Sequence, residues 1–149
     1  MNEDFIDLLR SLLEAGARFL VVGAHAMAVH GVPRATGDLD VWIAVDPDNA
    51  DRVTQALARF GAPLAAMGIT RADFLRMDQV VQIGLSPRRI DLLTSITGVE
   101  FAEAWDGRAT HDVSGLSVPF LGREALVRNK RATGRAKDRA DLEALGEQP

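Results

Sequence analysis

The chain has 149 residues, 47% of them apolar, and a mean hydropathy close to zero, enough for one domain over 1–149 to bury a core without covalent staples. The absence of cysteine excludes disulfides, thiolate metal sites and cysteine nucleophiles. A formal net charge of −4 argues against a general nucleic-acid coat, although the last quarter is locally basic.

The acidic start MNEDF is unlike a signal peptide, and no apolar run approaches a membrane span, so a soluble cytoplasmic chain with no membrane partner is expected. DFIDLLRSLLEAG carries Phe5, Ile6, Leu9, Leu12 and Leu13 at helical spacing and stops at Gly16. RFLVVG is short, apolar and β-branched, and Gly23 turns it into the alanine-rich helix AHAMAVHG, which ends at Gly31. DLDVWIAV is the second strand. Asp46 then caps a helix with Pro47 at its first position, and DNADRVTQALARFG runs to Gly61. Thr70 and Asp73 form a capping-box pattern for a short helix in ITRADFL. QVVQIGL and RIDLLTS read as strands split by Ser86-Pro87, and GVEFAEAWDGR as a short helix. LSVPF is a strand whose Pro119 suits a sheet edge. REALVRNKRATG and KDRADLEALG make two closing helices around Gly134. This order predicts an α+β or α/β sheet with helices packed against it.

Side chains alternate along a strand, so Leu39, Val41, Ile43 and Val45 share the core face while Asp38, Asp40, Trp42 and Ala44 share the other. The two carboxylates lie about 6.6 Å apart at their Cα atoms, where unit charges repel by roughly 2.5 kcal/mol at an effective dielectric near 20. A cation must therefore sit nearby. Mg²⁺ fits, because it takes carboxylate oxygens and completes its shell from water and substrate phosphates. Asp91, on a strand of the same buried character, offers a third carboxylate, and three converging carboxylates suffice to clamp two metals about 3.5–4 Å apart around a phosphoryl group. The alternative is ion pairing of Asp38 and Asp40 with Arg34, Arg88 or Arg89. Upstream, Gly23 leads a strand into a helix start, where backbone N–H groups favour a phosphate.

The stretch VVGAHAMAVHGVPRATGDLDVWI resembles the nucleotidyltransferase superfamily signature: a hydrophobic strand, a Gly-Gly or Gly-Ser turn, a helix, then R-x-T-x-D-x-D. RIDLLTSITGVEFAEAW and LVRNKRATGRAKDRADLEAL match further blocks of the small bacterial nucleotidyltransferases related to the AbiEii toxins, so the resemblance covers nearly the whole chain. It implies a mixed β-sheet flanked by helices, with C-terminal helices. It also implies Mg²⁺- or Mn²⁺-dependent transfer of a nucleoside monophosphate from an NTP to a hydroxyl acceptor, a tRNA end or a protein, restrained in the toxin-like case by an antitoxin protein. By this analogy Asp38, Asp40 and Asp91 are the catalytic and metal-binding carboxylates. Gly23 and Ala24 hold the terminal phosphates, Lys130 contacts the triphosphate, and Arg34 and Thr36 complete the nucleotide-binding set. Ala24 departs from the usual Gly or Ser, keeping the N–H donor but lacking a hydroxyl. A non-catalytic nucleotide- or partner-binding module on the same fold is the rival expectation.

Other residues carry less. Arg34 either neutralises phosphate or pairs with Asp38. In the terminal basic run Lys130 is expected to point inward, with Arg135, Asp138, Lys137 and Asp141 exchanging local pairs on a solvated face. His25 and His30 are five apart and point to different sides of a helix, which marks both as structural. Trp42 reads as packing, and His111 as part of a polar turn.

Overall fold

The computed structural model of the chain describes residues 1–35 and 37–149, so the reading of Thr36 as a nucleotide contact lies outside the described residues. Helix α1 (Glu3–Glu14) starts where the Asn2 side chain accepts from the Phe5 N–H at 2.9 Å, and it buries Phe5, Leu8, Leu9 and Leu12. Strand β1 (Phe19–Val22) runs directly into helix α2 (Gly23–Val29), and strand β2 (Leu39–Ile43) follows. Helix α3 (Pro47–Phe60) has the expected ends: the Asp46 side chain accepts from the Asn49 N–H, Pro47 opens the first turn, and Gly61 closes it at φ 95°. A one-turn helix α4 (Leu64–Met67) and a 3₁₀ turn (Arg71–Leu75) lead to strands β3 (Val80–Ile83) and β4 (Ile90–Leu93). Helix α5 (Phe101–Asp106), strands β5 (Ala109–Val113) and β6 (Leu116–Phe120), and helices α6 (Arg123–Thr133) and α7 (Ala136–Ala144) complete the chain.

The six strands form one mixed sheet in the order β3-β4-β2-β1-β6-β5. Pairs β1–β2, β3–β4 and β5–β6 are antiparallel, while β2–β4 and β1–β6 are parallel. Two sequence readings change here. His111 lies in β5, not in a turn, with its ring edge-on to Phe120 at 5.6 Å. The strand is mostly polar and half exposed, so alternation does not announce it; the signal was the Ser114-Gly115 pair, both at positive φ, joining Val113 to its partner Leu116. Because β5 takes the edge, Pro119 is on an interior strand. It is tolerated there because β6 meets β1 in register only at Val21↔Phe120.

Leu39, Val41 and Ile43 pack with Phe19, Val21 and Leu92 against α1 and α3. Leu20, Val22 and Trp42 pack on the other face against Ala26 and Met27 of α2, Ala104 of α5, Leu126 and Val127 of α6, and Leu142 of α7. Helices therefore cover both faces. Asn49, almost fully buried, ties the layers by accepting from the Arg18 N–H at 2.7 Å and donating to the Ala44 carbonyl at 2.8 Å. Among the described residues no helix is long and apolar enough to cross a membrane.

Candidate active site

On the second face of the sheet a polar group gathers where β2 and β4 meet, and its members are placed by register. Asp40 and Asp91 are partners across the parallel β2–β4 pair, so their carboxylates stand side by side. Val22 is the partner of Asp40 on the other flank, and Gly23 follows it at once. The chain must leave the sheet there at φ 68°, and a Cβ at that position would overlap the Asp40 carboxylate, so glycine is required both by conformation and by space. Gly37 is pressed against Pro87 of the β3–β4 loop in the same way, which brings Asp38 beside that loop. Asp38 accepts from the Ser86 hydroxyl at 3.0 Å and from the Arg89 backbone N–H at 3.2 Å.

The cation demanded by these carboxylates is Arg89. Its Nε and Nη2 donate to the two oxygens of Asp91 at 2.8 and 3.1 Å, and Nη2 lies 3.4 Å from Asp38 Oδ2. One guanidinium thus spans two of the three acids, and the ion-pair alternative is realised through Arg89 for Asp38 but, among the described residues, not for Asp40. Asp40 is left with the residual imbalance. Burial first, then the charge and hydrogen bond of Asp91 and the charge of Asp38, push its carboxyl up to about 6, with Arg89 opposing.

Facing this wall is a second charged cluster, on α6 and α7. Lys130 Nζ lies 2.8 Å from Asp141 and 3.5 Å from Asp138, two carboxylates with almost no exposed surface. Arg34 pairs with Asp141, and Arg135 grips Asp138 through Nε at 2.7 Å and Nη2 at 3.1 Å. The Arg135 guanidinium holds the Asp138 carboxyl well below the usual range against the opposing effect of burial. Lys130 is pushed down, chiefly by burial, with Asp138 opposing and the charges of Lys137 and Arg135 assisting. The α7 acids are therefore buried counter-ions, not members of a solvated face. Asp138 and Asp141 are three apart on a helix, the spacing that puts both on one side. Lys130 points inward as expected, but its ammonium is committed to these acids.

Between the walls lies a cleft of about 620 Å³. Gly23, Ala24, Arg34, Asp38, Asp40, Asp91 and Lys130 all line it, so every described residue expected at the site reaches one cavity. Arg89, Arg135, Lys137 and Asp141 line it too. Lys137 has no ion-pair partner among the described residues, which its place in a run of alternating charges concealed. The remaining candidates are packing: Trp42 is edge-on to Phe101 at 5.0 Å, His30 meets the Leu121 carbonyl at 2.8 Å, and His25 stands edge-on to Phe5 with burial pushing its ring below the usual range.

The donor set suits a hard divalent cation, since Asp38, Asp40 and Asp91 offer only carboxylate oxygens. In the present side-chain arrangement, however, no three acidic or histidine side chains among the described residues converge on one ion position. Arg89 stands between Asp38 and Asp91, so chemistry fits and placement requires the guanidinium to move aside.

No protein-family model matches the chain, and no curated protein matches its sequence. Among solved structures, the chain is similar to a candidate nucleotidyltransferase from Thermotoga maritima, with a TM-score of 0.57, 14% identity, and coverage of 98% of this chain and 92% of that one. The likeness is one of fold: a nucleotidyltransferase-like mixed sheet flanked by helices.

Proposed function

We propose that the chain is a Mg²⁺- or Mn²⁺-dependent nucleotidyltransferase that moves a nucleoside monophosphate from an NTP to a hydroxyl acceptor. The observation that carries this reading is the Asp40↔Asp91 register beside Gly23, in a cleft whose opposite wall carries an excess of cations. Asp38, Asp40 and Asp91 would hold the metal, which when bound supplies charge neutralisation at the reacting phosphate. The remaining work belongs to the chain. Gly23 and Ala24 let the nucleotide approach the main chain, while Lys137 and Arg135 face its polyphosphate from across the cleft. The acceptor oxygen bonds to the α-phosphorus, the α–β bridging bond breaks with its electrons going to pyrophosphate, and the hydroxyl proton passes to a cluster carboxylate, for which Asp91 is the expected base. Arg34 and Lys130 hold the cationic wall in place through Asp141. The AbiEii-like form of the proposal adds a cytoplasmic setting, a tRNA end or protein hydroxyl as acceptor, and a protein antitoxin.

One observation favours the rival, a nucleotide- or partner-binding module: Arg89 already neutralises Asp91 and reaches Asp38. Incubation with each of four α-labelled NTPs, divalent metal and a cell extract supplying RNA and protein separates the two. The transferase reading expects metal-dependent label transfer and pyrophosphate release that fall at least about a hundredfold in Asp40→Asn and Asp91→Asn. Retained NTP binding with no transfer under any combination establishes the module instead.

A further inference from the structure

Arg89 takes both oxygens of Asp91, a residue only 8% exposed, in the bidentate geometry that makes such pairs strong. Those oxygens are also the ones a divalent cation needs. Asp38 is drawn into the same arrangement twice, by the guanidinium and by the Arg89 main-chain N–H. The guanidinium is tethered just before the strand that carries Asp91, two residues away, and 32% of the side chain remains exposed, so it reaches the acids by folding back over its own strand and can leave toward solvent. Arg88, next to it, lies outside the cleft lining and makes no ion pair among the described residues.

We propose that Arg89 is a positioning residue, a tethered counter-cation that holds Asp38 and Asp91 together and competes with a divalent cation for them. The inference rests on the transferase reading for the identity of the competing ion. Cation binding and guanidinium withdrawal are then one event, and the acids are kept from repelling one another apart whichever cation is present. Removing the guanidinium unmasks the oxygens while weakening what holds the carboxylates in register.

The test is Mn²⁺ binding to the whole chain without nucleotide, followed by the loss of free-ion paramagnetic resonance signal. Arg89→Gln is expected to bind Mn²⁺ at least about tenfold more tightly than the natural chain, and to melt lower without the ion and recover with it. Arg89→Lys, which keeps the charge but loses the bidentate fork, falls between them and carries the comparison if Arg89→Gln does not fold. Arg88→Gln, with the same change of net charge, shifts affinity less than about threefold. Mn²⁺ affinity in the folded Arg89 variants equal to or below that of the natural chain, no Mn²⁺ binding in any variant, or an equal gain in Arg88→Gln overturns the proposal. Tighter Mn²⁺ binding in Arg89→Gln with no nucleotide transfer by any form leaves the counter-cation standing and removes the transferase. Metal-dependent transfer with Mn²⁺ affinity indifferent to Arg89 does the reverse.

Discussion

The two walls of the cleft are built from the same chemistry with opposite imbalance. On the strand wall one guanidinium serves Asp38 and Asp91, and Asp40 beside them is pushed up to about 6 by burial first and then by the charges of the other two acids. On the helical wall two buried carboxylates are shared by Lys130, Arg34 and Arg135, and the surplus shows in Asp138, held well below the ordinary range. One wall is short of positive charge and the other, with Lys137, can take an anion. A ligand that carries both charges, such as a metal-bound polyphosphate, satisfies both at once.

The walls also differ in burial, and that difference ranks the consequences of breaking them. Lys130→Met leaves two acids without their central counter-charge at positions that are 0 and 1% exposed. A fully uncompensated buried charge costs about 3–5 kcal/mol, and because Arg135 still pairs with Asp138 and Arg34 with Asp141, urea unfolding should show a loss at the low end of that range, about 3 kcal/mol. A loss below about 1 kcal/mol would mean that the helical wall is wetter than its burial indicates. Gly23→Ala comes next. The left-handed backbone disfavours a side chain by about 1–2 kcal/mol, and the new methyl displaces the Asp40 carboxylate, so stability should fall by about 2 kcal/mol or more. Urea unfolding of this variant checks the loss, and Mn²⁺ affinity should fall with it.

The strand wall yields a smaller, pH-dependent effect. In the unfolded chain Asp40 ionises near 3.8, and in the folded chain at about 6. Across that interval the native state keeps a proton that the unfolded state has released. Its contribution to stability is therefore fully present below about pH 4 and is lost as pH rises through 6. The whole shift corresponds to about 3 kcal/mol, and partial exposure of the cleft reduces the expected loss to about 1–2 kcal/mol. Asp40→Asn removes this dependence and should be more stable than the natural chain at about pH 8. Urea midpoints at about pH 4 and pH 8 for both forms check the sign: a difference that is flat with pH defeats it.

How far the sequence disclosed the two walls follows from the range of the forces that build them. The strand wall was legible because it is local. Period-two alternation places Asp38 and Asp40 on one face, a glycine bend precedes them, and Asp91 sits on a strand of matching character that the structure pairs in register. The α3 caps were legible for the same reason. The helical wall was not, because the partners of Asp141 lie 11 and 107 residues away at Lys130 and Arg34, and a charge run offers no local sign that its acids face inward. Arg89 was visible as a candidate partner for the aspartates, but alternation alone cannot say that its guanidinium folds back onto Asp91. Strand β5 carries no hydrophobic period, and its local mark is the Ser114-Gly115 turn that joins it to β6.

The smallest predicted effect isolates burial from distance. Arg10 and Asp7 on α1 meet at 2.8 Å, the same separation as Lys130 and Asp141. Their side chains are 45% and 56% exposed, against 10% and 1% for the cleft pair. If distance governed, the two pairs would contribute alike. Water instead screens the exposed pair and offers each group a replacement partner, so Arg10→Gln should cost no more than about 0.5 kcal/mol by urea unfolding. Salt should diminish even that, while leaving the cost of Lys130→Met nearly unchanged, because counter-ions reach α1 and do not reach the interior between α6 and α7. Equal losses at the two positions would show that the helical wall is open to solvent, and the assignment of Lys130 to holding the wall together, not to binding phosphate, would fail with it.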